Sequence, residues 1–357
     1  MAMEERNPSL LTASLVLLVA VAGCAPQAEP EAKDEFPVLT GAYLGQTPPG
    51  AVPELFAPGI VSTGMYTRDI AMTPDGKEIY FGVAMGGFTV IMQTRLQNDR
   101  WTKPEVAPFS ADPRYMNLEP FVAPDGQKLY FLSNRPRDGG DLTPDEIGTW
   151  VNQDIWVMDR TEDGWGEPYN LGPPVNSGDE EYFPSLTRAG TIYFTRTPGG
   201  TRESYIYRSR LVNGRYTEPE RLGPEVNSTM SQFNAFIAPD ESYLILGVFG
   251  REDSRGGTDY YVVFRDQGDN WSQPINLGDE INTPRGGEFS PYVSPDGRYF
   301  FFMSTRTRSP DEFPERLTYG YLEEVYHGPR NGNSDIYWID VSFLEELRPA
   351  GFGNPDR

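Results

Sequence analysis

The chain has 357 residues and a formal charge of −22, from 30 basic and 52 acidic side chains. This balance disfavours nucleic acid and anionic membrane surfaces as partners, because both are gripped by clustered Lys and Arg. With one cysteine, Cys24, and one histidine, His327, an internal disulfide and a His/Cys zinc site are excluded, and a Ser-His-Asp site is confined to the surroundings of His327. Pro and Gly, 33 and 37 in number, recur between apolar runs as turn residues do, and 13% aromatic residues disfavours a disordered chain.

In chain order, the first feature is the apolar run Leu10 to Gly23, short for a permanent membrane span and ending in small residues as a secretory signal does. Val21-Ala22-Gly23-Cys24 resembles the lipobox of bacterial lipoproteins. The resemblance implies cleavage before Cys24 and lipid attachment to it, and Ala25 in the next position implies sorting to the periplasmic side of the outer membrane. Glu4, Glu5 and Arg6 depart from the usual basic start of such signals, and the plainer alternative is a buried apolar segment with a free thiol. Gln27 to Thr40, rich in Pro, Ala and Glu, cannot bury a core and reads as a tether. The expected division is a signal peptide over 1–23, a tether over 24–45, a folded domain over 46–348 and a tail over 349–357.

Within the folded domain one pattern repeats. A first run ends in a turn: Pro74-Asp75-Gly76, Pro124-Asp125-Gly126, Arg188-Ala189-Gly190, Pro239-Asp240-Glu241 or Pro295-Asp296-Gly297. Pro pre-sets its own φ, Asp caps the local backbone, and Gly takes the last position. A second run, such as Ile79-Tyr80-Phe81 or Phe300-Phe301-Phe302, is apolar on both faces, as a strand covered on both sides must be. A third run follows, and then an aromatic and a proline: Trp101 and Pro104, Trp165 and Pro168, Tyr216 and Pro219, Trp271 and Pro274. Proline marks that fourth run as an outer edge. Five first runs are matched by only four fourth runs downstream, and Pro53 to Val61 mimics Pro168 to Val175. The spacing therefore predicts an all-β propeller of four-stranded antiparallel blades, closed by an N-terminal strand. Five blades are expected, or six if Gly41 to Gly64 holds further strands.

The turn, Ser133-Asn134-Arg135 after the second run, the Asp-Ile-Trp third run and the tail Trp165 to Asn176 together resemble TolB-type, WD-like propeller repeats, over roughly Pro53 to Asp340. The resemblance implies a periplasmic interaction platform. Such propellers are often joined to an OmpA-like peptidoglycan-binding domain; this chain runs to Arg357 without one, so peptidoglycan binding is not carried over.

On an up-and-down blade, the loops between second and third runs share a face with the fourth-to-first connections. Their lengths are uneven: 84–87 is minimal, whereas 136–153 and 307–334 are long, and uneven loops on a regular scaffold commonly carry function. The first run starts at that face with Thr67 and Asp69, Asn117 and Glu119, Glu181, Gln232 and Asn234, and Glu288 and Ser290. Residues two apart on a strand point the same way, so these side chains are expected to ring the channel mouth. Such a mouth suits a cation, a sugar or a basic segment; a water-filled channel with satisfied walls is the bland counterpart. Arg135, Arg196, Arg251 and Arg306 recur after the second run, either to meet a ligand or to pair with the acid opening a third run, such as Asp154, Asp259 or Asp335.

Asp138, Asp141, Asp145 and Glu146 offer oxygen ligands without EF-hand spacing, and no metal or cofactor is assigned. Phe313, Tyr319, Tyr321 and Tyr326 in loop 307–334 either stack on a ligand or pack on the rim, and His327 reads as a surface residue. The leading expectation is a monomeric, lipid-anchored periplasmic propeller that binds an envelope protein or a glycan at the face of loops 136–153 and 307–334, without chemistry. A purely structural envelope role is a third class. The enzymatic alternative is a five-bladed-propeller glycoside hydrolase of arabinanase type using Asp69, Glu119, Glu181 and Glu288. It needs two carboxyls about 5 Å or about 6.5–9.5 Å apart across an open pocket.

Overall fold

A computed structural model describes residues 36–352 of the chain. Cys24 and the signal segment lie outside the described residues. The repeats fold as five antiparallel sheets arranged as blades around one axis. Blade 1 runs Tyr66–Met72, Glu78–Met85, Phe88–Gln97 and Glu105–Val106 from the axis outward, and blade 2 runs Asn117–Val122, Lys128–Ser133, Asp154–Thr161 and Tyr169–Asn170. Blade 3 holds Glu180–Leu186, Ile192–Thr197, Tyr205–Ser209 and Glu220–Arg221; blade 4 holds Gln232–Ile237, Tyr243–Phe249, Thr258–Phe264 and Ile275–Asn276. Blade 5 takes Tyr292–Val293, Tyr299–Ser304 and Asp335–Asp340 from one end of the fold and Glu54–Leu55 from the other.

Each second strand is buried apart from its ends, as its two-sided apolar pattern requires, because neighbouring blades cover both its faces. The outer strands are only two residues long and follow the predicted prolines. A missing proline N–H interrupts pairing there and blunts the sheet edge. A side chain continues the ladder beyond the break. Asn176 Nδ2 donates to Ile155 O at 2.8 Å and its Oδ1 accepts from Ile155 N–H at 3.1 Å. Asn227 does the same for Ile206, Asn282 for Tyr260, and Ser62 for Ile336. The recurring Val-Asn and Ile-Asn endings are thus backbone mimics of the fold.

The ring closes as expected: Glu54 pairs with Trp338 and Leu55 with Tyr337. Phe56, fully buried, meets Phe301 and Trp338 edge-on at 5.0 and 5.2 Å, which locks the joint with aromatic contact area. Segment 41–64 contributes only that strand and the 3-10 turn Tyr43–Gly45, so five blades fill the ring. One boundary moves. Leu39 O accepts Trp101 N–H, Gly41 O accepts the Trp101 indole, and Leu44 is buried, so 39–45 packs on the propeller and does not act as a tether.

Candidate functional site

The innermost strands carry the site, and each departs from simple alternation. Registers slip between Thr67 and Ile70, Leu118 and Phe121, Tyr182 and Ser185, and Phe233 and Phe236, where three steps on one strand face two on its partner. At three of these bulges Glu119, Phe183 and Asn234 adopt left-handed φ of 59°, 51° and 53°, and Ser290, just before the first strand of blade 5, has φ of 67°. A bulge re-aims side chains. The expectation that residues two apart share the channel wall is therefore corrected, and the predicted polar residues separate into two tiers.

Residues of the upper tier turn away from the axis, to their own blades and to the segments that join them. Thr67 Oγ1 donates to Val61 O at 3.1 Å. Asn117 Oδ1 accepts from Ser133 at 3.0 Å and from Arg135 at 2.6 Å. Glu181 binds Ser177 and pairs with Arg196 at 2.7 Å. Gln232 bonds Thr229 N–H and Ser204 O, and Glu288 bonds Thr283 and Ser304. Loss of solvent raises the Glu181 and Glu288 carboxyls above the usual range. These residues hold the connections between blades.

The lower tier, Asp69, Glu119, Phe183, Asn234 and Ser290, surrounds the axis. Ser290 Oγ donates to Asp69 Oδ1 at 2.6 Å, Glu119 N–H to Asp69 Oδ2 at 3.1 Å, and Phe183 N–H to Glu119 Oε2 at 2.8 Å. Asn234 N–H donates to Thr195 Oγ1 at 3.0 Å and Asn234 Nδ2 to Ser290 Oγ at 3.0 Å, so a bond crosses every blade junction. Gly82 is needed here, since a Cβ on it would lie 2.5 Å from Asp69 Oδ2. The gap left on the axis is ≈ 10 Å³, at most one water.

Arg68 seals this ring from above, and sequence reasoning missed it. Its Nη2 donates to Glu119 Oε1 at 2.6 Å and its Nε to Asp69 Oδ1 at 3.1 Å. Alternation points residue 68 away from the axis, and only the bulge brings it in. The available signal was an arginine where the other four repeats carry Leu118, Tyr182, Phe233 and Phe289. Desolvation works against the guanidinium charge, but Asp69 and Glu119 outweigh it and hold Arg68 protonated. Burial, opposed by Arg68, pushes the Glu119 carboxyl up to about 7.

Above Arg68 lies a shallow mouth of ≈ 220 Å³ lined by Trp150, Tyr182, Phe233 and Phe289, with Gln153 and Glu180 at its edge. The guanidinium sits 5.1 Å from the Phe289 ring centre and 5.9 Å from that of Trp150. Trp150 comes from loop 136–153 and is 49% exposed. Loop 307–334 folds into the helix Tyr319–His327, none of whose residues is buried. Asn331 ties that loop to Gly64 O and Tyr326 O, which leaves Tyr319 and Tyr326 76% and 71% exposed. His327 lies at the helix end, against Gly64.

The recurrent arginines do not meet the acids expected for them. Arg135 donates to Phe109 O, Arg196 to Val175 O at 2.9 Å, and Arg306 to Glu280 O and Ile281 O, each capping the chain that enters its blade. Arg251 pairs with Asp253 at 2.9 Å, and Asp154 is met by Arg137. The acids of loop 136–153 bind separate partners: Asp141 takes Arg114, Asp138 takes Gly140 N–H, and Glu146 takes Thr143. Among the described residues no group of three His, Cys, Asp or Glu side chains is placed to hold a metal ion.

Searches with family models and against curated proteins give no match to this chain. Solved structures similar to it include TolB of Acinetobacter baumannii, at 17% identity over 78% of this chain and 55% of that one, with a TM-score of 0.42. A candidate TolB of Agrobacterium tumefaciens is 15% identical over 78% of this chain and 91% of that one, with a TM-score of 0.43. The native arabinanase Arb43A of Bacillus subtilis is 12% identical over 78% and 95%, with a TM-score of 0.47. The chain thus spans about half the length of the Acinetobacter TolB, and at these levels the five-bladed fold rests on the strand pairing of the chain itself.

Proposed function

We propose that this propeller is a protein-binding module whose variable face takes an apolar, basic segment of an envelope partner. The observation that carries this reading is the gathering of exposed apolar side chains on that face. Met85, Phe88, Trp150, Phe249, Tyr319 and Tyr326 all lie in the connections between second and third strands or at the strand ends flanking them, and all are more than 45% exposed. Patches of this kind on a rigid scaffold mark interaction sites. Glu203, Glu252 and Glu323 lie in the same connections, Glu180 opens the first strand of blade 3, and a net charge of −22 steers a cationic partner toward the rim. The sealed channel favours a partner lying across the mouth over a ligand entering it. It also weighs against the hydrolase alternative: Asp69 and Glu119 share one buried guanidinium over a gap too small for a sugar, and Glu181 and Glu288 are bonded within their own blades. Anchoring through Cys24 on the periplasmic side of the outer membrane remains part of the proposal, supported by the lipobox-like residues 21–24.

The test is capture of envelope proteins by three forms of the chain. These are the wild type, a variant with Phe313, Leu317, Tyr319 and Tyr326 all changed to Ser, and a control with Tyr169→Ser on the outer edge of blade 2. The partner should be lost with the quadruple variant and kept with the control. Retention by the quadruple variant and loss by the control would reverse the assignment of the face. Metabolic palmitate labelling, abolished by Cys24→Ala, checks the anchor.

A further inference from the structure

On the opposite face, the junction between blades 2 and 3 is open where those on either side of it are filled. At the junction of blades 1 and 2, Trp165 donates to Tyr80 Oη at 2.7 Å, and Arg160 reaches across to Glu78 with two bonds of 2.8 Å. At the junction of blades 3 and 4, Trp271 meets Tyr193 edge-on at 6.4 Å, and Tyr193 Oη donates across to Glu241 at 2.6 Å, while Arg265, which matches Arg160, pairs with that same Glu241 within its own blade at 3.4 Å. Strand registers identify the matching residues at the junction of blades 2 and 3 as Tyr216 for Trp165, Leu211 for Arg160 and Lys128 for Glu78. The large aromatic has become smaller, and both members of the ion pair have been replaced. Lys128 is turned aside to Asp159 and to Tyr169 Oη. The result is a cleft of ≈ 600 Å³.

The lining of the cleft has two characters. Its body is Tyr130, Tyr169 and Tyr216 with Leu171, Leu186 and Leu211. The hydroxyls of Tyr130 and Tyr216 stand 3.4 Å apart. Gly190 lets Leu211 lie against the turn, because a Cβ on it would lie 2.8 Å from Leu211. The charged rim consists of Lys128, Arg188 and Arg215 against one acid, Asp125. In a chain with 52 acidic and 30 basic side chains this inverts the general balance. Among the described residues, neither Arg188 nor Arg215 has a carboxylate within ion-pair distance of its guanidinium. Arg215 is carried on the hairpin Leu211–Val212 and Arg215–Tyr216, whose Asn213-Gly214 turn has φ of 53° and 75°. That turn type holds a two-residue hairpin rigidly.

We propose that this cleft is a second binding site, for a small aromatic carboxylate or sulfonate. Its flat body stacks among the three tyrosines, and its anion is met by Arg188 and Arg215. The volume is that of a small-molecule pocket, apolar walls with a few converging polar groups are the ordinary makeup of one, and guanidinium–carboxylate bonds are the strong directional contacts that fix an anion.

The test is calorimetric titration of the full chain with naphthalene-2-carboxylate and with the uncharged naphthalene-2-carboxamide. The carboxylate should bind and the amide should bind at least ~10-fold more weakly, the loss expected when charge-assisted bonds are removed. Arg188→Ala with Arg215→Ala should bring the carboxylate down to the level of the amide. Tyr216→Trp, which restores the aromatic of the other junctions, should abolish binding of both while leaving the melting temperature unchanged or raised. Absence of carboxylate binding to the wild type overturns the proposal. So does equal binding of the two probes, or full binding by a folded Tyr216→Trp protein.

Discussion

The channel mouth and the cleft between blades 2 and 3 are built from one repeat and have diverged in opposite directions. At the mouth an arginine replaces an apolar residue and closes the axis, which leaves a broad, shallow aromatic rim. At the cleft the tryptophan of both flanking junctions and the cross-blade ion pair of blades 1 and 2 are missing, and a deep enclosed space results. Broad rims suit a macromolecular partner and deep clefts suit a small one. A few substitutions against a constant scaffold thus separate two kinds of recognition, one on each face.

The largest expected effect lies at the mouth. Arg68→Met leaves Asp69 and Glu119 buried without their counter-charge, and should cost about 3–5 kcal/mol of stability in urea denaturation. Adding Asp69→Asn and Glu119→Gln should recover much of that loss. A mild effect of Arg68→Met alone would mean that the floor is solvated and the mouth deeper than described. Next in size is Asn227→Ala, which removes three bonds to Ile206 and Leu222 and should cost about 2 kcal/mol, because it strands buried backbone groups. That variant tests the shared scaffold and should leave both faces unchanged in binding.

At the cleft the expected gains are small. Lys128→Glu with Leu211→Arg recreates the Glu78–Arg160 arrangement and should change stability by no more than about 1 kcal/mol, as partly exposed pairs do. It should nevertheless close the cleft to the naphthalene probe. A last effect is one of pH. Asp335 is buried, its Oδ2 accepts only Arg330 N–H, and desolvation raises its carboxyl to about 6. Its folded-state proton affinity thus exceeds that of the unfolded chain. Its contribution to stability is present below the unfolded value near 3.8 and is lost as pH rises through about 6. Asp335→Asn should flatten the melting temperature across that window, and an unchanged slope would place the titration elsewhere.

Much of the fold was legible because it depends on features that repeat. Turn residues such as Asp75 and Gly76, two-sided runs such as Ile79 to Phe81, and the displaced strand at Glu54 each left a local mark in the sequence. The site was less legible because it depends on exceptions. The bulges that divide Asn117 from Glu119 arise from tertiary packing and leave no composition signal, so alternation assigned both to one wall. Arg68 was visible only as a mismatch between repeats. The recurrent arginines stand out as a set in the sequence, yet Arg135, Arg196 and Arg306 each reach backbone carbonyls, which no charge count can anticipate. The open junction was hidden for the opposite reason: Leu211 and Tyr216 are ordinary residues, and only their registers show what they replace.

The central claim is that recognition of a protein partner belongs to the rim of the variable face. It is tested most directly by placing a photo-crosslinking phenylalanine analogue at Trp150, at Tyr319 and, on the turn face, at Gln127, then irradiating cells and identifying the adducts. Trp150 and Tyr319 should yield adducts with one shared partner and Gln127 none. A partner crosslinked from Gln127 and from neither rim position would contradict the account.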